Sequence, residues 1–162
     1  MALIVGVNSY SSLADAETYF TTRIDVAAWH AATEAQKEAA LVTASIQLNN
    51  LNWFGVIMSP DQDLAFPRKG YYLDQMAGKA IYLDGTVVPN RIINAVYEQA
   101  YHLLNNDGLL DGNGSPDSIK VGPIELIGLK STVQSKISPL ALAFYKPLLS
   151  RAHAGGMWHR AN

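Results

Sequence analysis

Cysteine is missing from all 162 positions, which excludes disulfides, thiolate catalysis and cysteine-ligated zinc. Charge is scarce as well: 16% of the residues are charged, against the ~25% usual for a soluble chain. A lightly charged surface is readily covered by other protein, so self-association is favoured over a compact, alanine-rich monomer. Basic excess is lacking too, with 12 Lys and Arg against 14 Asp and Glu and a net charge of −2. That balance weakens a dedicated nucleic-acid binder but leaves room for a local basic patch. No apolar run approaches the ~20 residues of a membrane span, and residues 1–7 are too short and uncharged for a signal peptide. The expectation is a soluble protein made in a cytoplasm, with no membrane partner.

Recognisable catalytic patterns are also lacking. His30, His102, His153 and His159 form no His-x-x-x-His pair, so a zinc hydrolase is not expected. Gly112 and Gly114 are not followed by the Lys-Ser/Thr of a phosphate loop, and no serine sits in a Gly-x-Ser-x-Gly elbow. Asp111, Asn113 and Ser115 are spaced like the first ligands of a calcium loop, but Pro116 and Gly122 occupy the positions that need Gly and Glu. This stretch reads as a glycine-rich surface turn. No catalytic, cofactor-binding or metal-ligating residue is expected, and the chain is not expected to be an enzyme.

What is present is mostly helical periodicity. Ser12 and Asp15 open a helix over about 13–22. Asp25 reads as the cap of a short helix holding Val26, Ala27 and Trp29. Thr33 and Gln36 form a capping box before a helix at about 34–50. Its apolar residues fall on two stripes, Leu41, Ala44, Leu48 and Leu51 on one, Val42 and Ile46 on the other, so contact on two sides is expected. Pro89 starts an amphipathic helix over about 89–106, and Ser138-Pro139 starts the last, carrying Leu140, Phe144, Leu148 and Leu149 and ended or kinked by Pro147. Residues 3–7 read as a short strand or an extended arm, and 80–83 as a short strand. Residues 118–129 read as a hairpin or edge strand broken at Gly122-Pro123. The rest of 52–88 reads as irregular. The fold class expected is mainly α: a small helical bundle with one short β element, a single domain over 1–150 and a mobile tail over 151–162.

The segment 60–69 stands out within the long connection. It places Leu64, Ala65 and Phe66 between two prolines, with Arg68-Lys69 just beyond. A solvated loop has little use for Leu and Phe, so the segment reads as an anchor pinned into the core or against a neighbouring subunit. Trp53, Phe54, Phe66, Tyr71 and Tyr72 flank the basic pair. Exposed aromatics stacked on bases, beside cations on phosphates, are how single strands are held. Buried aromatics are the competing reading, and the low charge around them favours it. Phe66, Arg68, Lys69, Tyr71 and Tyr72 are the candidate interaction residues here. Met157 and Trp158 are candidates in the tail, as a docking site or folded back on their own core.

Several segments together resemble a family of small tailed-bacteriophage proteins. They are Asn8-Ser-Tyr-Ser-Ser-Leu-Ala-Asp-Ala-Glu-Thr-Tyr-Phe, then Arg23 and Trp29, then Lys37-Glu-Ala-Ala-Leu-Val-Thr-Ala. Trp53-Phe-Gly, Gln62-Asp-Leu-Ala-Phe-Pro-Arg, Asp84-Gly85, Val88-Pro89 and Lys120-Val-Gly-Pro-Ile-Glu-Leu follow in order. Phe66 stands where the pattern often has Trp, and Leu129 where an aromatic often follows. The family resembles head–tail connector (adaptor) proteins and also carries the label of DnaT-like single-stranded-DNA-binding protein. The resemblance implies, first, a structural virion protein without cofactors. It would form a ring, commonly of twelve copies, between portal protein and tail proteins, with genomic DNA passing through the channel. In that setting residues 52–72 and the β element would make intersubunit or tail-side contacts, and the tail would order on the portal. The alternative is single-stranded-DNA binding, and a further one is tail completion or termination.

Overall fold

The computed structural model describes residues 2–75, 77–105, 118–121, 124–127 and 136–150, the two four-residue stretches as backbone alone. Helix α1 (Leu13–Thr21) begins where expected, with Ser12 Oγ accepting from Asp15 N at 3.1 Å. Helix α2 (Ala27–Ala31) follows, but Asp25 does not cap it: Val26 is the N-cap, without a side-chain bond, and Asp25 takes a left-handed turn at φ 59°. Helix α3 (Glu34–Asn49) carries the full Thr33–Gln36 capping box. Of its two stripes, Leu41, Ala44 and Leu48 are buried, whereas Ile46 stays exposed.

Three strands come next: β1 (Val56–Ile57), β2 (Arg68–Asp74) and β3 (Lys79–Asp84), then helix α4 (Asn90–Asn105). A two-stranded antiparallel hairpin, β4 (Ser118–Val121) and β5 (Ile124–Ile127), agrees with the β element expected there. Helix α5 (Pro139–Tyr145), capped by Ser138, passes at Lys146 into a 3-10 turn, Lys146–Leu148. Pro147 thus ends the α-helix as expected. The buried side is Ala141, Tyr145 and Leu148, while Leu140 is exposed, because the helix is rotated from the stripe its leucines outline.

Helix α4 is the axis of the molecule, packed by α2, α3 and α5. Six consecutive residues, Ala95 to Ala100, are buried. A helix enclosed on several sides must satisfy its polar residues internally. Gln99 does so by donating from Nε2 to Gln47 Oε1 on α3 (2.7 Å) and the Lys136 carbonyl (2.8 Å), while its Oε1 accepts from Ser138 N (2.8 Å). Glu98 accepts from the Tyr19 hydroxyl at 2.6 Å and lies 3.0 Å from Arg23 Nη1. Burial and this carboxylate together push the Tyr19 phenol well up.

The mainly-α expectation is corrected here. The molecule is mixed α/β, with a three-stranded antiparallel sheet ordered β1-β2-β3 in place of an irregular 52–88 connection. Pairing runs Lys69 to Asp84, Tyr71 to Tyr82 and Leu73 to Ala80. Arg91 on α4 grips Asp74 at the end of β2 with bonds of 2.7–2.9 Å, a fork-shaped pair that fixes the sheet to the central helix. No helix among the described residues is long and apolar enough to cross a membrane. The glycine-rich turn at 107–116 and the tail with Met157 and Trp158 lie outside the described residues.

Candidate functional site

The 60–69 segment is pinned, as its composition implies, and its pins are residues of its own chain. Leu64 and Phe66 are buried. Phe66 packs edge-on against Trp53, ring centres 5.0 Å apart, and Trp53 packs likewise on Tyr145. Two polar side chains hold the backbone between them: Asn49 Oδ1 accepts from Ala65 N at 3.0 Å and from the Tyr10 hydroxyl, and that hydroxyl accepts from Phe66 N at 3.3 Å. Burial pushes the Tyr10 phenol up to about 12.

Arg68 is spent on the same task. Its Nε donates to the Phe54 carbonyl (2.8 Å), Nη2 to the Gly55 carbonyl (2.7 Å) and Nη1 to the Ala65 carbonyl (3.4 Å). The guanidinium therefore fastens residues 54–55 to the pinned segment and faces its own subunit. It also lines a polar cavity of about 400 Å³ with Asn49, Asn52 and Ser150. Burial lowers its pKa, but an arginine keeps its charge.

Beyond Arg68 the chain becomes β2, and alternation sorts its side chains. Tyr72 and Asp74 point inward and are buried; Lys69, Tyr71 and Leu73 point outward. Close approach of the preceding segment requires glycine: a Cβ on Gly55 (φ 75°) would stand 2.5 Å from the Lys69 carbonyl oxygen. On the outward face Tyr71 is 70% exposed and Tyr82, opposite it on β3, 46% exposed. Their ring centres lie 4.7 Å apart with planes at 39°, a paired aromatic surface open to solvent. Lys69 stands beside it and has no ion-pair partner among the described residues. Asp84 lies across from Lys69, but its carboxylate accepts from the Thr86 N–H (2.8 Å) and hydroxyl (2.7 Å). Those bonds hold its pKa below the ordinary carboxylate value. Leu73, 55% exposed, continues the face.

The structure thus divides the sequence-derived set. Phe66, Tyr72 and Trp53 are core and Phe54 is partly buried against them; Arg68 is a structural tie; Lys69 and Tyr71 share an open face. Tyr82 joins them and was not foreseen, because 71 and 82 meet only once the 68–84 hairpin is formed. Its signal was the alternation of Ala80, Tyr82 and Asp84 against Ile81 and Leu83, with Gly78 at the preceding turn. No group of three or more His, Asp or Glu that would hold a metal occurs among the described residues.

No curated protein and no solved structure matches the chain. Residues 1–159 match the family model described as "Putative DnaT-like ssDNA binding protein". The match spans nearly the whole chain, and the protein belongs to that family.

Proposed function

We propose that this protein is a non-catalytic binding module that holds single-stranded DNA on the outward face of β2 and β3. The observation that carries the proposal is the Tyr71–Tyr82 pair, two exposed rings paired on the sheet beside a lysine that has no ion-pair partner among the described residues. Tyrosine rings are ordinarily drawn towards a core or an interface. Unstacked bases supply the missing contact, since every base has a π-face, and Lys69 supplies a phosphate partner. The net charge of −2 and Asp84 across from Lys69 mean that stacking, rather than charge, provides most of the affinity. Titration of a labelled oligothymidylate and of a duplex of equal length, read by fluorescence anisotropy, tests this. Binding of the single strand and rejection of the duplex is expected; equal binding of both, or of neither, contradicts it.

A second reading is the ring-forming head–tail adaptor, located at the head–tail junction of a virion, with portal protein, tail proteins and channel DNA as partners. It is favoured by apolar side chains that the described residues leave open, Ile24 at 89% exposure and Val56 at 69%. Subunit contacts in a ring would cover them. Sedimentation separates the two readings: a ring sediments as one large closed species, whereas the binding module sediments as a monomer or small oligomer.

A further inference from the structure

A cavity of about 330 Å³ opens where β2 meets the end of α5, lined by Leu73, Gln75, Ala143, Lys146, Pro147, Leu149 and Ser150. Leu73 belongs to the same outward face as Tyr71, one pleat further along the strand, so the cavity continues the aromatic platform. Its volume is that of a small-molecule site. Its walls combine aliphatic surface from Leu73, Pro147 and Leu149 with the amide of Gln75, which has both donor and acceptor capacity. Lys146 is exposed and has no ion-pair partner among the described residues. Aliphatic walls, one amide and one cation without an ion-pair partner among the described residues match a nucleobase with its phosphate.

We infer that this cavity is a second nucleotide subsite, taking one unstacked base of a strand whose neighbouring base lies on Tyr71 and Tyr82, with Lys146 on the intervening phosphate. The inference rests on the single-strand reading of the sheet face and adds a minimum length to it. A strand must reach from Lys69 past the tyrosines to Lys146, so a very short oligonucleotide occupies only part of the site. Occupancy of the cavity also gives preference to a strand over a free nucleotide.

Ala143 and Lys146 are both exposed, so Ala143→Phe, which fills the cavity, and Lys146→Ala are expected to fold; melting curves check this. The probes are labelled oligothymidylates of about 3 and about 10 nucleotides, spanning the lower part of the usual single-strand site range. The wild type gains affinity with length. Each variant is expected to lose about tenfold on the longer probe and little on the shorter. Lys146→Ala is also expected to make the log–log salt slope shallower by about 0.7, which Ala143→Phe does not. If Tyr71-dependent binding is present and both variants match the wild type at both lengths, the cavity is not a subsite, while the platform stands. If the wild type binds neither probe, both fail.

Discussion

Tyr10 shows how one residue can fix a site it never touches. Its hydroxyl sits between Asn49 and the Phe66 N–H, so it sets where β2 begins and hence which residues of that strand face outward. Tyr10→Phe leaves a buried N–H without its acceptor, and a loss of about 1–3 kcal/mol is expected in chemical denaturation. A phenol with a pKa raised from 10.0 to about 12 holds its proton better folded than unfolded. Its contribution is therefore complete below pH 10 and lost as pH rises towards 12. Tyr72, Tyr97 and Tyr145 are raised by burial as well, so the melting temperature should fall steeply over that window, and less steeply in Tyr10→Phe. Arg68 is the residue whose role the sequence left open. A cation amid aromatics looks like a ligand contact, and only the folded chain reveals three backbone carbonyls around it. Arg68→Ala should lower stability by about 2–4 kcal/mol through unpaired carbonyls and lost packing. Lys69→Ala should leave stability within about 0.5 kcal/mol and weaken DNA binding.

At the scale of elements, the helices were legible because their signals are local. Ser12, Thr33 and Ser138 each cap a helix with their own side chain, and a cap lies within a few residues of what it caps. The sheet was not legible for the opposite reason. Strand β1 has two residues, Gly70 interrupts the apolar pattern of β2, and the pairings of Val56 with Lys69 and of Tyr71 with Tyr82 are not local. Alternation is a weak signal where one face carries Lys, Tyr and Leu and the other Gly, Tyr and Asp. Both glycines at the β1–β2 contact have a spatial role, and Gly55→Ala tests it. A Cβ at 2.5 Å from a carbonyl oxygen, in a left-handed conformation, should cost about 1–3 kcal/mol. It should also loosen β1, which amide exchange at Ile57 and Lys69 would register. The candidate site was half legible: Lys69 and Tyr71 were named from sequence, whereas Tyr82 required the hairpin register.

At the scale of the whole molecule, a helical body built around α4 carries a small sheet whose inner face is bolted down by Asp74–Arg91 and whose outer face exposes Tyr71, Leu73 and Tyr82. A sheet tied to the central helix and an open aromatic surface suit a ligand that contributes its own flat faces. A site with one or two cations implies a shallow salt dependence, a log–log slope of about −0.7 to −1.4 for single strands. A steep slope would point instead to a broad basic channel. The central claim is that Tyr71 and Tyr82 hold the strand. Its most direct test compares wild type with the Tyr71→Ala, Tyr82→Ala double variant on an oligothymidylate of about 10 nucleotides, melting temperature being measured alongside. Loss of roughly 1–3 kcal/mol of binding per stacked base, at an unchanged melting temperature, is the result predicted. Undiminished affinity in a folded double variant would contradict it.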